Sequence, residues 1–164
     1  MSAEGVLRDI LLQPVSLARV LAHHDGPGRG ELRQAADLLR NAQTVILTGM
    51  GASLFACMPL EYYLAARGCR VVLAETAELL HYQVERCPGA VVVMVSRSGD
   101  TIEIKNLLAA LNRKTATIGI TNEPESCLAR CADAVLLVTN HPDEFVAIQS
   151  YTGQLATLLL VGAA

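Results

Sequence analysis

Five short aliphatic runs recur along this chain, and the residues between them switch to helical spacing. The runs are residues 44–47, 70–74, 90–95, 116–120 and 134–138. They hardly alternate between apolar and polar, as expected of strands buried on both faces of a parallel sheet. Residues 52–67 read as a helix closed near Gly68. Residues 101–113 read as another, with Ile104, Leu107, Leu108 and Leu111 on one face. This alternation predicts an α/β fold, a three-layer αβα sandwich with helices on both sides of a five-stranded parallel sheet. In the flavodoxin-like order 2-1-3-4-5, strands one and three flank the point where strand order reverses. Ligands of such sheets bind there, beyond the carboxyl ends of the strands.

The first forty residues read as helices. Val6, Ile10 and Leu11 share one side of a short helix, and Pro14 opens a second that carries Val15, Ala18 and Leu21. Residues 25–30, Asp-Gly-Pro-Gly-Arg-Gly, read as a break. Leu32, Ala35, Ala36 and Leu39 then resume helical spacing. The expected organisation is a single domain, with helices in 1–42 packing on a sheet domain in 43–164. A chain of 164 residues suffices for one such domain and is too short for two. The last helix is expected from near Glu144 to the end. Between Leu155 and Val161 it is apolar on every side apart from Thr157. It is therefore buried all round or covered by a partner. The chain ends inside this helix, so either a dimer covers it or the natural sequence runs further.

The net charge is −3, without a block of Lys or Arg, which argues against a nucleic-acid face. No apolar run approaches the ~20 residues of a membrane helix. No charged-then-apolar leader opens the chain, so the expected address is cytoplasmic. Cys57, Cys69, Cys87, Cys127 and Cys131 are an odd set without paired spacing. They read as reduced thiols, and no metal is expected.

The chemistry concentrates at two strand ends. Thr48-Gly49-Met50-Gly51-Ala52-Ser53 follows strand one, and Ser96-Arg97-Ser98-Gly99-Asp100-Thr101 follows strand three. Each opens a helix, whose N-terminal N–H groups and positive dipole end favour anions. Gly99 lets backbone approach a ligand, and Ser96, Ser98 and Thr101 add hydroxyl donors. Asp100 is expected in the first helical turn, directed outward. These donors suit a phosphate group.

The S-x-S-G-D-T pattern and the preceding G-x-S loop resemble the sugar isomerase (SIS) domain. The likeness lies nearest the first SIS domain of glucosamine-6-phosphate synthase (glutamine–fructose-6-phosphate aminotransferase) and related phosphosugar isomerases and deglycases. Residues 8–14 resemble the opening of that module, and residues 146–155 its last helix. The resemblance implies that Ser53, Ser96, Arg97, Ser98 and Thr101 surround the phosphate of a hexose 6-phosphate. It also implies that Gly51, Ala52, Val146 and Ala147 line the sugar. Arg97 stands where the synthase often has Gln, and Ala52 where it has a Thr that touches a sugar hydroxyl. No cofactor is implied. SIS domains typically associate so that one covers the sugar site of another, which implies a homodimer or a second SIS domain.

An aldose–ketose isomerase moves a proton between C1 and C2 through an enediol, which requires a general base. In two-domain relatives that base comes largely from a second domain and a tail, so this chain would be half of an isomerase module. Within it, Glu144 and His141 are weak candidates for the base. Glu78 lies on the helix after strand two. His23 and His24 read as exposed helix-end residues, and His81 with Tyr82 could reach a site across a dimer. Two rivals remain. One is a non-catalytic sugar-phosphate sensor. The other is an NAD-binding Rossmann unit, using Gly49-Met50-Gly51 and Glu75, with Leu54 where the pattern requires a small residue.

Overall fold

The computed structural model describes residues 3–111 and 115–164. Five strands form one sheet in the order β2-β1-β3-β4-β5, every pair parallel. They are β1 (Thr44–Gly49), β2 (Arg70–Glu75), β3 (Val91–Val95), β4 (Ala116–Thr121) and β5 (Ala134–Leu137). The helices are α1 (Ala3–Asp25), α2 (Arg29–Arg40), α3 (Ala52–Ala65), α4 (Thr76–Glu78), α5 (Ile102–Leu111), α6 (Cys127–Cys131) and α7 (Gln149–Ala163). The expected end of α5 at 112–113 lies outside the described residues.

Successive strand residues face opposite layers, and both layers are aliphatic. Val45, Leu47, Val93 and Ile118 meet α1, α2, α3 and α7 through Val20, Ala35, Leu60 and Leu158. Ile46, Val92 and Met94 meet Leu79, Ile104, Leu107 and Leu128 on the other side. Each such Leu or Ile contributes roughly 1.5–3 kcal/mol when fully buried. The two-sided burial explains why the strands do not alternate.

The N-terminal expectations need correction. One continuous α1 replaces the two helices expected around Pro14. Pro14 has no N–H for the Ile10 carbonyl, and Gln13 Nε2 donates to that oxygen instead at 3.2 Å. The break after α1 is only residues 26–28, because α2 starts at Arg29 and takes Gly30 into its first turn. His24 is buried at 2% exposure rather than exposed. Thr157 Oγ1 lies 3.4 Å from its Nε2, and desolvation, reinforced by His23, lowers its pKa to about 4.

The C-terminal helix also differs. α7 begins at Gln149, five residues after Glu144, because Asp143 caps it. Asp143 Oδ1 accepts from the N–H groups of Ile148 at 3.1 Å and Gln149 at 2.6 Å, and Oδ2 accepts from that of Ser150 at 3.0 Å. Most of α7 is covered within the chain, where α1, α2 and α3 pack on it and leave Leu159 exposed. The large exposed apolar side chains of the N-terminal region lie instead along α1: Leu7, Ile10, Leu11, Val15 and Leu21.

After β2, the three residues of α4 continue as a π-turn over Leu79–Gln83 and a 3-10 turn over Val84–Arg86. Glu78 and His81 are exposed, as is Tyr82.

Candidate functional site

β1 and β3 lie side by side, with Gly49 paired to Val95 at their carboxyl ends. Their following loops meet in a cleft of ≈ 210 Å³ lined by Met50, Ser53, Ser96, Arg97, Ser98 and Thr101, with Val95 and Ile104 behind. A larger hollow of ≈ 660 Å³ sits at the opposite end of the sheet, against Gly89, Ala90 and Ala116. That end receives the amino termini of the strands, away from the two glycine and hydroxyl loops.

The β3 loop is pinned from behind. The Arg97 carbonyl accepts from Asn122 N and Thr121 Oγ1, both at 3.1 Å, and the Gly99 carbonyl accepts from Leu128 N at 3.0 Å. Gly99 has φ +62°, and a Cβ there would stand 2.6 Å from Ser126 Cβ. Only glycine fits so close a turn.

This anchoring decides what the hydroxyls can do. Ser96 Oγ accepts from Gly99 N at 3.1 Å, Ser98 Oγ from Asp100 N at 3.3 Å, and Thr101 Oγ1 from Ile104 N at 3.5 Å. A hydroxyl has one donor and two acceptor positions. All three oxygens are therefore held by backbone N–H groups, while their O–H protons have no acceptor among the described residues. The backbone N–H groups of Arg97, Ser98 and Thr101 likewise make no bond among the described residues. The Arg97 guanidinium has no ion-pair partner there either.

Asp100 lies two residues before α5, not in its first turn. Its carboxylate accepts from Cys127 N at 3.3 Å and pairs with Lys105 at 3.1 Å. The hydrogen bond from Lys105, then that from Cys127, lowers its pKa. Its charge is thereby engaged toward α5 and α6 rather than against the donors of the loop.

The β1 loop differs. Ser53 Oγ donates to Oε1 of the buried Gln154 on α7 at 3.1 Å, and Thr48 Oγ1 donates to Thr76 Oγ1 at 3.2 Å. Gly51 has φ +53°, and it and Ala52 are exposed beside the cleft without lining it. Val146 and Ala147 are exposed in the bends before α7 and do not line it either. Neither does Glu144, whose carboxylate pairs with Arg8 at 2.8 Å, nor His141, whose N–H donates to Ser16 Oγ at 3.2 Å.

Sequence reasoning missed a buried polar network that holds this region. Asp9 of α1, 1% exposed, accepts from Glu144 N at 2.8 Å and Gln149 Nε2 at 3.1 Å. Ser16 donates to Gln149 Oε1. Gln154 was missed as well. Its signal was legible, since Ser150, Gly153, Gln154 and Thr157 form a polar and small stripe at helical spacing on a helix otherwise rich in apolar residues. The thiols add no reactive group to the site. Burial pushes Cys57 up to about 12, far from the thiolate range.

Comparison with known proteins identifies the family and the fold. Residues 38–164 match the family model described as SIS domain. Glutamine–fructose-6-phosphate aminotransferase of Pyrococcus horikoshii is 28% identical over 163 residues, covering 95% of this chain and 26% of that protein. Arabinose 5-phosphate isomerase of Escherichia coli is 34% identical over 110 residues, 65% of this chain and 35% of that protein. The chain thus spans about a quarter to a third of these relatives. Among solved structures, the C-terminal domain of glucosamine–fructose-6-phosphate aminotransferase from Francisella tularensis superposes with a TM-score of 0.84 at 19% identity, covering 99% of this chain and 48% of that one. The sugar isomerase domain of an RpiR transcription factor from Sphaerobacter thermophilus gives 0.77 at 21%, covering 96% and 87%. At such identities the likeness speaks to the fold.

Proposed function

This chain belongs to the SIS domain family, and on that premise we propose that its β1–β3 rim binds the phosphate of a hexose 6-phosphate. One observation carries the reading: Ser96, Ser98 and Thr101 fix their oxygens on backbone N–H groups and keep three O–H protons for a ligand. Arg97 and the N–H groups beside it add positive potential. Hydrogen bonds to a charged group contribute about 1.5–3 kcal/mol each, so several together suffice for micromolar binding without a lysine. By the family resemblance Gly51, Ala52, Val146 and Ala147 would meet the sugar; all four are exposed, and none lines the phosphate cleft.

In this reading the chain is the phosphate-binding part of an isomerase-type module that interconverts aldose and ketose by enediol proton transfer. No carboxylate or imidazole lines the phosphate cleft. The base therefore comes from a second SIS domain or from a rearranged 141–147 segment bearing Glu144 and His141. The same observation favours a second reading, a sugar-phosphate sensor without turnover, and the RpiR domain supports that alternative at the level of fold. Turnover of fructose 6-phosphate that is lost in Glu144→Gln would favour the enzyme. Binding without turnover in the full-length protein would favour the sensor.

A second copy is the proposed partner, on α1. Leu7, Ile10, Leu11, Val15 and Leu21 expose an apolar stripe with heptad-like spacing, disposed about Pro14 so that an antiparallel copy sets Leu7 against Leu21. Analytical ultracentrifugation should find a dimer that Leu11→Arg dissociates, and a wild-type monomer would remove this partner. A cytoplasmic location belongs to the same reading. Among the described residues no helix is long and apolar enough to cross a membrane.

Calorimetric titration tests the phosphate site. Ser98→Ala with Thr101→Ala should weaken fructose 6-phosphate at least about tenfold, two lost bonds to a charged group, while circular dichroism stays native. Unchanged affinity would reject the assignment.

A further inference from the structure

Cys127 and Cys131 open and close α6, and their Sγ atoms lie 4.0 Å apart. Cys127 is half-buried and Cys131 exposed, whereas Cys57 and Cys87 are buried. Both members of the pair border a hollow of ≈ 350 Å³ that also meets Lys105 and Asp133, outside the phosphate cleft. A small reagent can therefore approach them from solvent, with an ammonium alongside.

The same short helix holds the β3 loop in place. Leu128 N donates to the Gly99 carbonyl at 3.0 Å, and Cys127 N donates to Asp100 Oδ1 at 3.3 Å. Gly99 and Asp100 lie between Ser98 and Thr101, whose hydroxyls are assigned to the phosphate. α6 has only five residues, and its cap is Ser126, whose Oγ accepts from Ala129 N at 3.2 Å. A change in the shape of this turn pulls on the loop.

A disulfide would change its shape. Side chains four apart on an α-helix have Cβ atoms roughly 5–6 Å apart, and a disulfide needs about 3.5–4.5 Å. The Cα spacing of such a pair, about 6 Å by helix geometry, stays within the range a disulfide accepts. The bridge is thus reached by local bending rather than by refolding. A long helix would resist that movement, and a single turn gives way.

We propose that Cys127 and Cys131 form a thiol–disulfide exchange site, at which a low-molecular-weight disulfide closes a Cys127–Cys131 bridge and loosens the phosphate-binding loop. Control of binding rests on the phosphate reading above, whereas the bridge and its pull on Gly99 do not. The Cys131 thiolate attacks one sulfur of RS–SR, and RS⁻ leaves. Cys127 then attacks the Cys131 sulfur of the mixed disulfide, and the second RS⁻ leaves. Two cysteine thiols are oxidised, one RS–SR is reduced to two RSH, and the two cysteine protons pass to the leaving thiolates. The surroundings set this order. Burial, then the hydrogen bond with Cys131, raises the Cys127 pKa, and Lys105 opposes them. Once Cys131 is capped its charge is gone, and Lys105 favours the Cys127 thiolate. Exposed or strained bridges are the labile, regulatory kind, so this one is reversible.

Incubate wild type and Cys131→Ser with oxidised glutathione, then alkylate, digest and weigh the peptides. Trypsin cleaves after Arg130, between the two thiols, so a bridge joins two peptides that the reduced chain releases separately. Hydrogen exchange reads the Leu128 amide, and calorimetry reads fructose 6-phosphate. Wild type should form the bridge and exchange the Leu128 amide at least about tenfold faster. It should bind fructose 6-phosphate about fivefold more weakly, one anchoring hydrogen bond's worth. Dithiothreitol should reverse all three changes, and Cys131→Ser should show none. Absence of the bridge, a glutathione adduct that persists on Cys131, a bridge that leaves Leu128 exchange unchanged, or an affinity that oxidation does not alter would overturn the proposal. If reduced wild type does not bind fructose 6-phosphate, the phosphate reading falls and control of binding falls with it, while the bridge and Leu128 exchange still decide whether the thiols act on the loop.

Discussion

The β1 and β3 loops look alike in sequence, each a glycine and hydroxyl turn between a buried strand and a helix, yet they spend their hydroxyls differently. In the β3 loop the hydroxyl oxygens are acceptors for their own backbone, and the protons remain available. In the β1 loop Ser53 and Thr48 give their protons to Gln154 and Thr76. One loop is an open set of donors. The other is a fastener between β1, the segment after β2, and α7. Residue type fixes what a loop could donate, and the neighbours decide what is left to donate.

Acid should act on the fastened side more than on the open one. The phosphate cleft presents alcohols, amides and a guanidinium, and no carboxylate or imidazole lines it. α7 rests on His24, whose pKa falls from 6.5 to about 4, chiefly through burial, with His23 lowering it further and Glu31 opposing. The unfolded chain binds the proton more tightly, so stability is full above pH 6.5 and drains as pH falls toward 4. The loss reaches at most about 3 kcal/mol. Urea titrations across that window should show the slope, and His24→Gln should flatten it. An unchanged slope in that variant would assign the acid sensitivity elsewhere.

A smaller effect separates the loops directly. Ser53→Ala leaves the buried Gln154 carbonyl unpaired and should cost about 1–2 kcal/mol of stability. Its effect on fructose 6-phosphate affinity should stay below about threefold, since the hydroxyl proton is already committed. Ser98→Ala should do the reverse, keeping the melting temperature while weakening the ligand. If Ser53→Ala weakens binding as much as Ser98→Ala, then Ser53 turns to the ligand when one arrives, as the family resemblance implies.

The strands and their order were legible because burial on both faces leaves an uninterrupted aliphatic record, as in Val91–Val95. The β3 loop was legible as a turn into a helix, because glycine and hydroxyls favour helix starts, where Thr101 Oγ1 accepts from Ile104 N. The continuity of α1 was not. Pro14 is a strong local breaker, and its repair depends on where Gln13 points. The start of α7 was hidden for a similar reason, because one carboxylate, Asp143, reaches forward five to seven residues to cap it.

The part of the molecule that matches the family and the part that must travel together are not the same length. The match to the SIS model begins at residue 38, inside α2. Yet the carboxylate that receives the main chain of Glu144 and the side chain of Gln149 belongs to Asp9. A fragment cut at the edge of the family match would lose that carboxylate together with Ser16, which donates to Gln149. Its sheet could still assemble, but the strap running from 141 to 150 would lose its mooring. Whoever transplants this module into another protein should carry the first helix along as part of the cargo.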